Sequence, residues 1–294
     1  MSGLLSQEVY DRALGAWYGQ IIGDNQGAHF EFKEPSQIDV STLHTMHDGG
    51  YWKLIAGQGT DDTEMALALA RSLLRRGGFD KDDVLASYKR WARDAFDIGA
   101  TCSAALLSDV YSPESQANGA LMRSSPIGIA FEPQEAARIA ALDCVLTHIH
   151  PHCVELNSRY ARALSTQIRQ GIGRMALAQL LGGERELPED FVTHMGFVDL
   201  AFGVTVFEVA HAQSFEQGLL DVIARGGDTD TNAAIAGAML GALFGAEAIP
   251  LAWREAVDHA RPGPATSHPR PEEYWTCDAR ELAYALVELE TVAS

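Results

Sequence analysis

Apolar residues recur at intervals of three and four along most of the chain, which is the spacing that places side chains on one face of an α-helix. The first such segment covers residues 7–22 and carries Val9, Leu14, Trp17, Tyr18, Ile21 and Ile22. Runs of β-branched residues are scarce, and no segment has a convincing strand pattern. The pattern therefore predicts an all-α protein.

The same spacing predicts a series of further helices along the chain. They cover residues 60–76, 81–94, 100–109, 121–131, 134–147, 154–170, 174–181, 197–212, 215–224 and 271–292. The segment 23–27, with the sequence Gly-Asp-Asn-Gln-Gly, is expected to break the first helix, and 28–34 to form a short loop or partial helix. The stretch up to residue 58 predicts an irregular connection of the lid type.

A strongly apolar helix near the C-terminus carries Gly237, Gly241 and Gly245 at four-residue intervals. A glycine inside a helix costs about 1 kcal/mol relative to alanine. Such a pattern is reasonable if the helix is central and other helices approach its backbone closely.

Composition limits the possible organisation and partners. The 294 residues are 47% hydrophobic and contain no Pro/Ser-rich linker, so we expect a single domain over 1–294. A net charge of −18 argues against nucleic acid as a partner. The most apolar stretch, 233–244, is too short to cross a membrane, and the N-terminus lacks the pattern of a signal peptide. We expect a cytoplasmic monomer.

The cysteines give no sign of a metal site or of a disulfide framework. They show no Cys-x-x-Cys spacing, and in a chain of this length they are expected to be reduced, mostly buried thiols. The four positions are Cys102, Cys144, Cys153 and Cys277.

A glycine-rich loop opens into a helix at 59–65, with the sequence Gly-Thr-Asp-Asp-Thr-Glu-Met. Three consecutive oxygen ligands, Thr60, Asp61 and Asp62, would point in different directions around a regular helix. They converge on one cation only at a helix start or in the loop before it.

A second loop mirrors the first at 226–232, with the sequence Gly-Gly-Asp-Thr-Asp-Thr-Asn. Asp228 and Thr231 are three residues apart and share a helix face. Asp230 can reach the same cation only from an irregular backbone at the helix start. Carboxylate and hydroxyl oxygens without nearby cysteine or histidine are the ligands of a hard cation such as Mg²⁺ or Mn²⁺.

Helix capping is the alternative explanation for both motifs. Asp61 and Glu64 have the spacing of a capping box, and Asp228 and Asp230 are suitable residues for a helix start. Capping one helix needs one side chain, however, and each motif has several acidic or hydroxyl groups. We therefore interpret the two motifs as halves of one metal site.

In combination, the segments GQGTDDTEMALALARSL at 57–73 and GGDTDTNAAIAGAMLGALFG at 226–245 resemble the ADP-ribosylglycohydrolase family. Within it, the chain is most similar to the bacterial dinitrogenase reductase-activating type, which removes ADP-ribose from arginine. Further matching segments follow in the family's order, so the resemblance spans most of the chain. These segments are 23–24, 30–32, 96–99, 118–123 and 147–151.

The resemblance implies a compact, orthogonal multi-helix bundle with a dinuclear metal site at the ends of helices. It implies a hydrolase that releases ADP-ribose from ADP-ribosylated protein with the help of two divalent cations, Mg²⁺ or Mn²⁺. One side of the metal pair would be held by Thr60, Asp61 and Asp62, and the other by Asp228, Asp230 and Thr231. Asp61, Asp62 and Glu31 are all candidates for the general base.

The resemblance also implies roles for residues outside the two motifs. Glu31 matches a glutamate on a mobile flap, with a surface acid as the alternative. Asp97 matches the acid that receives the guanidinium, with a helix cap as the alternative. Asn118 and Gly119 would cradle ADP-ribose. His148 would line the ribose and diphosphate pocket, or be a satisfied histidine at a helix end.

Two further positions are interpreted with alternatives. Arg123 is expected to form an internal salt bridge rather than to face the diphosphate. Segment 193–199 occupies the place where the family usually has a tyrosine near the adenine, and here it is shortened and contains Phe197. Phe197 is therefore either close to the adenine or part of the core.

Other functions fit the same chain less well. One is hydrolysis of O-linked ADP-ribose, such as serine-ADP-ribose or O-acetyl-ADP-ribose, or of ADP-ribosylated nucleobases. Another is a non-catalytic ADP-ribose-binding scaffold, which would be expected to lose some of the six candidate ligands. A dimetal phosphoesterase usually needs histidine-rich ligand sets that are missing here.

Overall fold

The computed structural model describes residues 5–183 and 186–289, and within these ranges the chain forms thirteen α-helices and no sheet. The all-α prediction is confirmed. The helices are α1 (Gln7–Gly27), α2 (Asp61–Arg76), α3 (Lys81–Ala92), α4 (Ala100–Ser108), α5 (Ser125–Ala130), α6 (Pro133–Cys144), α7 (Pro151–Gln170), α8 (Arg174–Leu180), α9 (Val198–His211), α10 (Phe215–Ile223), α11 (Thr229–Phe244), α12 (Leu251–His259) and α13 (Ala279–Val287).

The centre of the fold is a close pairing of α1 with α11. A Cβ placed on Gly19 would lie 2.0 Å from the carbonyl oxygen of Gly237, and one on Gly15 would lie 2.2 Å from that of Gly241. Each helix thus needs glycine where it faces the other. The prediction that Gly237 and Gly241 allow close backbone approach is confirmed. Gly245 instead ends α11 with φ +83°.

The prediction that 23–27 breaks the first helix is wrong, since α1 continues to Gly27. Gly23 and Gly27 continue the close contact with α11, at Ala233 and Thr229 respectively. The polar residues between these glycines are buried and hydrogen-bonded to the connection that follows α1. Both features belong to a helix interior rather than to a turn.

Two other predicted helices are shorter than expected. Residues 121–131 contain only α5, and residues 121–123 before it form turns. Residues 271–289 contain a 3₁₀ turn, Glu272–Tyr274, and α13. Trp275, which follows the 3₁₀ turn, has an extended backbone with φ −79° and ψ 147°, and this separates the turn from α13. Residues 290–292 of that prediction lie outside the described ranges.

The helix α12 was not predicted, whereas the irregular connection between α1 and α2 was. This connection contains the 3₁₀ turns Pro35–Gln37 and Val40–His44 and a tight turn in which Gly49 and Leu54 exchange backbone hydrogen bonds of 2.8 and 2.9 Å. Its action as a lid and the single-domain organisation over 1–294 both stay predictions.

Two expectations from composition can be compared with the structure. Across the described residues, every helix is too short or too polar to span a membrane. Cys102, Cys144 and Cys153 are buried, Cys277 is partly exposed, and all four are free thiols, as predicted.

Candidate functional site

The two acidic motifs meet where α2 and α11 begin, beside a cavity of about 320 Å³. Thr60 and Asp62 lie outside the lining of this cavity and are fully buried. The cavity brings together most of the residues singled out from the sequence. These are Glu31, Asp61, Asp97, Asn118, Gly119, His148, Asp228, Asp230 and Thr231.

Asp24 on α1 fixes the start of α2. Its carboxylate accepts hydrogen bonds from the backbone N–H groups of Thr60 and Thr63 and from the hydroxyl of Thr60, at 2.8 to 3.1 Å. Thr60 is the N-cap residue by position, but its side chain does not cap the helix. Asp24 was not among the site residues predicted from the sequence, although segment 23–24 was among the segments that match the family.

Glu64 does not complete a capping box. Its carboxylate accepts hydrogen bonds from Arg270 at 2.7 and 2.8 Å and from the indole of Trp91 at 2.7 Å, and it is buried. The capping-box interpretation of the first motif is therefore wrong.

Asp62 lies between the two motifs. Its Oδ2 atom is 3.1 Å from Thr60 Oγ1 and 3.4 Å from Thr231 Oγ1, while Oδ1 is buried without a hydrogen-bond partner. One carboxylate oxygen each of Asp24, Asp62 and Asp230 lies within 4.8 Å of the others. A buried, unpartnered carboxylate oxygen in an all-oxygen cluster fits a hard divalent cation.

A second cluster shares Asp230 with the first. One carboxylate oxygen each of Glu31, Asp97 and Asp230 lies within 4.8 Å of the others. Asp61 and Asp228 line the cavity outside both clusters. Asp61 accepts a hydrogen bond from the backbone of Gly99 at 3.3 Å, and Asp228 accepts one from the amide of Asn118 at 2.6 Å.

The acidic groups are held in an environment that opposes their ionisation. Burial, reinforced by neighbouring carboxylates, raises the pKa of Asp61 to about 7 and that of Asp97 to about 10. The same two causes raise the pKa of Asp62 and Asp230 well above the ordinary range. A bound cation would remove this repulsion, so the donor set and its electrostatics both fit a metal.

Glu31 is buried on a turn that is hydrogen-bonded to the second motif, and its place on a mobile flap stays a prediction. The backbone N–H of Phe32 binds the carbonyl of Gly227 at 2.8 Å, and the N–H of Gly227 binds the carbonyl of Lys33 at 2.9 Å. The indole N–H of Trp52 donates to the Glu31 carboxylate. Burial raises the pKa of Glu31 to about 8. The alternative of a surface acid is wrong.

Asp97 lies between α3 and α4. The N-cap of α4 is Gly99, and this helix has no side-chain cap, so the capping alternative for Asp97 is wrong. Asp97 is partly exposed at the cavity, beside Phe96.

Arg123 forms the predicted internal salt bridge. It is fully buried, and its Nε atom donates to Asp143 at 2.9 Å while Nη1 donates to Thr147 at 2.9 Å. The Thr147 hydroxyl lies 2.8 Å from Nδ1 of His148, whose Nε2 atom has no partner. Burial and the positive charge of Arg123 lower the pKa of His148 to about 3, so this imidazole is neutral.

Gly119 lies against the ring of His148. A Cβ at this position would approach His148 Cε1 to 3.2 Å and Cys102 Sγ to 3.1 Å. The absence of a side chain at Gly119 keeps the cavity open beside His148.

Phe197 is 42% exposed, so the alternative that it belongs to the core is wrong. It packs edge-on against His194, with ring centroids 5.1 Å apart, and lines a second cavity of about 390 Å³. This cavity and the first share Ala117, Met195 and Gly196 and are thus neighbours.

The fold is all-α, and the starts of α2 and α11 converge on shared carboxylates beside two neighbouring cavities. The chain belongs to the ADP-ribosylglycohydrolase family, whose model matches residues 5–292. It is accordingly a hydrolase of ADP-ribose linkages.

Known relatives cover most of the chain. An ADP-ribosyl-[dinitrogen reductase] glycohydrolase of Rhodospirillum rubrum is 31% identical over 85% of this chain and 91% of its own. The ADP-ribosylarginine hydrolase Tri1 of Pseudomonas putida is 27% identical over 86% and 76%. The ADP-ribosylhydrolase ARH3 of Bos taurus is 26% identical over 84% and 88%.

A solved structure has the same fold. It is an "ADP-ribosylglycohydrolase-related protein complex", 28% identical, which superposes with a TM-score of 0.80 over 97% of this chain and 99% of its own.

Proposed function

We propose that the protein is a metal-dependent hydrolase that removes mono-ADP-ribose from modified arginine side chains. The observation that carries this proposal is the position of Asp97, a carboxylate at the cavity that caps no helix and lies with Glu31 and Asp230 in one cluster. A planar guanidinium pairs well with a carboxylate. The similarity to an ADP-ribosylarginine hydrolase of Pseudomonas putida supports the same linkage.

Two divalent cations, Mg²⁺ or Mn²⁺, would be held by the oxygens of the two motifs. We assign Thr60, Asp61 and Asp62 to one side and Asp228, Asp230 and Thr231 to the other, as the sequence analysis predicts. The unpartnered Oδ1 atom of Asp62 and the sharing of Asp230 between two carboxylate clusters support the assignment of these two residues, whereas Asp61 and Asp228 are assigned from the two sequence motifs. When bound, such cations orient ribose hydroxyls and lower the pKa of a coordinated water.

Asn118, Gly119 and His148 would bind the ADP-ribosyl group. The Asn118 amide is oriented by Asp228, and the cavity beside Gly119 has no side chain in the way. His148, neutral because of its burial, would act as a hydrogen-bonding group rather than as a cation. The neighbouring cavity with Phe197 would receive the adenine end, where an aromatic face is available for stacking.

The reaction breaks the bond between the ribose anomeric carbon and the guanidine nitrogen. Water oxygen adds to that carbon, one water proton passes to a carboxylate, and the guanidine nitrogen takes up a proton as it leaves. Asp61, Asp62 and Glu31 are the candidate bases. Asp97 would hold the guanidinium in place and orient the bond that breaks.

A second candidate function is hydrolysis of an O-linked ADP-ribose. It is favoured by the similarity to ADP-ribosylhydrolase ARH3, whose name does not specify arginine. The binding-scaffold alternative is less favoured, because all six candidate ligands are present.

The test is release of free ADP-ribose from an arginine-ADP-ribosylated protein with Mn²⁺ or Mg²⁺ and after EDTA. We expect metal-dependent release that Asp61→Ala and Asp228→Ala both abolish. Asp82→Ala, which removes an exposed acid from the first turn of α3, is the matched control and should retain activity. Cleavage of a serine-linked substrate alone would overturn the arginine assignment. Release that persists in EDTA would overturn the metal assignment.

A further inference from the structure

Five aromatic rings form a continuous group next to the first cavity, which we call the aromatic rim. Phe32, Tyr51 and Trp52 are joined by edge-on contacts of 5.1 Å each. Trp52 meets Phe96 at 5.8 Å, and Phe96 stacks on His268 at 4.3 Å. Phe32 is 48% exposed and Tyr51 is 53% exposed, so the outer part of the rim faces solvent.

The backbone near the exposed rings adopts left-handed conformations. Phe32 has φ +66°, a left-handed conformation that is unusual for a bulky residue. Gly50 and Lys53, on either side of Tyr51 and Trp52, also have positive φ angles. Since Phe32 is half exposed, burial of its ring does not account for the strain, and strain of this kind is concentrated at functional sites.

The rim is held in a fixed position. Backbone hydrogen bonds of 2.8 and 2.9 Å link the turn of Phe32 to Gly227 in the second motif. The backbone N–H of Tyr51 donates to the carbonyl of Ala28 at 3.2 Å, and the indole N–H of Trp52 donates to the Glu31 carboxylate. The exposed rings are therefore positioned by the same residues that build the site.

The rim adjoins Asp97. Phe32 and Asp97 both line the first cavity, and Phe96, which precedes Asp97 in sequence, belongs to the rim. If Asp97 holds the guanidinium, the polypeptide that carries the modified arginine leaves the cavity next to the rim.

We propose that the aromatic rim is the docking surface for the polypeptide segment that carries the modified arginine, with Phe32 and Tyr51 as its contacting side chains. The inference rests on the proposed function for the nature of the carrier. Aromatic faces suit such a segment, because they pack against aliphatic carbons and attract cationic side chains. The net charge of −18 also favours a cationic segment, because opposite charges attract as the two proteins approach.

The test compares two substrates that share one linkage. The first is an arginine-ADP-ribosylated protein, and the second is ADP-ribosylarginine as the free amino acid. The variants are Tyr51→Ser and Tyr51→Ala, because Tyr51 is 53% exposed and, unlike Phe32, does not line the first cavity. Leu251→Ser is the matched control, because Leu251 is 60% exposed and lines neither cavity.

We expect each rim variant to lower kcat/KM on the protein substrate by about tenfold, mainly through KM. Hydrolysis of ADP-ribosylarginine should stay within about twofold of the unsubstituted protein, which also shows that the variants fold. The control should match the unsubstituted protein on both substrates. An equal loss on both substrates, or no loss on the protein, would overturn the docking role.

The comparison separates this inference from the proposed function. If the unsubstituted protein cleaves only a serine linkage, the arginine assignment fails, and the same variants are compared on serine-linked protein and serine-linked amino acid. If neither linkage is cleaved, calorimetric binding of modified protein and of free ADP-ribose replaces rates. Weaker binding of the protein alone supports docking at the rim, and unchanged protein affinity overturns it.

Discussion

Asp24 on α1 holds the backbone and the hydroxyl of Thr60 at the start of α2, across 36 positions of sequence. The same helix reaches the second motif, because the hydroxyl of Thr229 donates to the carbonyl of Gly27 at 2.7 Å. One helix thus contacts both halves of the candidate metal site. The relative position of the two motifs is determined by α1 as much as by their own sequences.

The first prediction concerns Asp24→Ala. This change leaves the first N–H groups of α2 and the Thr60 hydroxyl without their buried acceptor, so we expect a loss of about 2–4 kcal/mol in the free energy of unfolding, measured with urea. Asp39→Ala removes an exposed acceptor at the 3₁₀ turn Val40–His44 and should lower the free energy of unfolding much less than Asp24→Ala does. Equal losses in the two variants would contradict the role given to Asp24.

The second prediction concerns the contact between α1 and α11. A methyl group at Gly19 would lie 2.0 Å from a backbone oxygen of Gly237, which no side-chain rotation relieves. We expect Gly19→Ala to cost more than about 3 kcal/mol or to prevent folding. Gly173→Ala is the control, because that position has open space and ordinary φ, and it should stay within about 1 kcal/mol. Thermal unfolding of both variants checks the difference.

The sequence predicted most helices, because their apolar residues recur on one face. It did not predict that α1 continues through 23–27, because local rules count Gly, Asp and Asn as helix breakers. The partners of Gly23 and Gly27, which are Ala233 and Thr229, lie about 200 positions later, and Asp24 and Asn25 are hydrogen-bonded to the connection between α1 and α2. Glycine periodicity on α1 itself, at Gly15, Gly19, Gly23 and Gly27, was the signal that could have indicated the correct end.

The candidate site shows the same division between local and distant information. The density of acids at 60–62 and 228–231 is a local signal, and it led to residues that the structure brings together. Asp24 and Glu64 show the limit of such signals. Aspartate is common in loops, so Asp24 looked like a loop residue, and Glu64 lies at capping-box spacing from Asp61. Their actual partners, Thr60 for Asp24 and Arg270 for Glu64, depend on how α1 and the C-terminal segment pack against α2.

The third prediction concerns the buried ion pair of Arg123 and Asp143. Tyr88 also donates to Asp143, at 2.8 Å, so removing one charge leaves several buried polar atoms unpaired. We expect Arg123→Met or Asp143→Leu alone to cost about 3–5 kcal/mol, and the double variant to cost less than the sum. Urea unfolding of the two single variants and the double variant measures the coupling. Additive losses would show that the two side chains do not act as a pair.

The fourth prediction is the pH dependence of stability without and with a divalent cation. In the metal-free protein, burial raises the pKa of Asp24 to about 6 and that of Asp61 to about 7, above their ordinary values near 4. The folded state then binds more protons than the unfolded state. Its stability from these groups is complete below about pH 4 and is lost as the pH rises through 6 to 7.

A cation reverses this trend, because carboxylate ligands must lose their protons before they bind it. We therefore expect Mn²⁺ to raise Tm more at pH 8 than at pH 5.5, in a thermal unfolding series at fixed ionic strength. The Oδ1 atom of Asp62 has no protein partner, and Asp62→Asn removes the charge of this candidate ligand. We therefore expect this variant to lose most of the rise in Tm that Mn²⁺ causes at pH 8. Equal shifts at both pH values, or a full shift in Asp62→Asn, would contradict binding of the cation by these carboxylates.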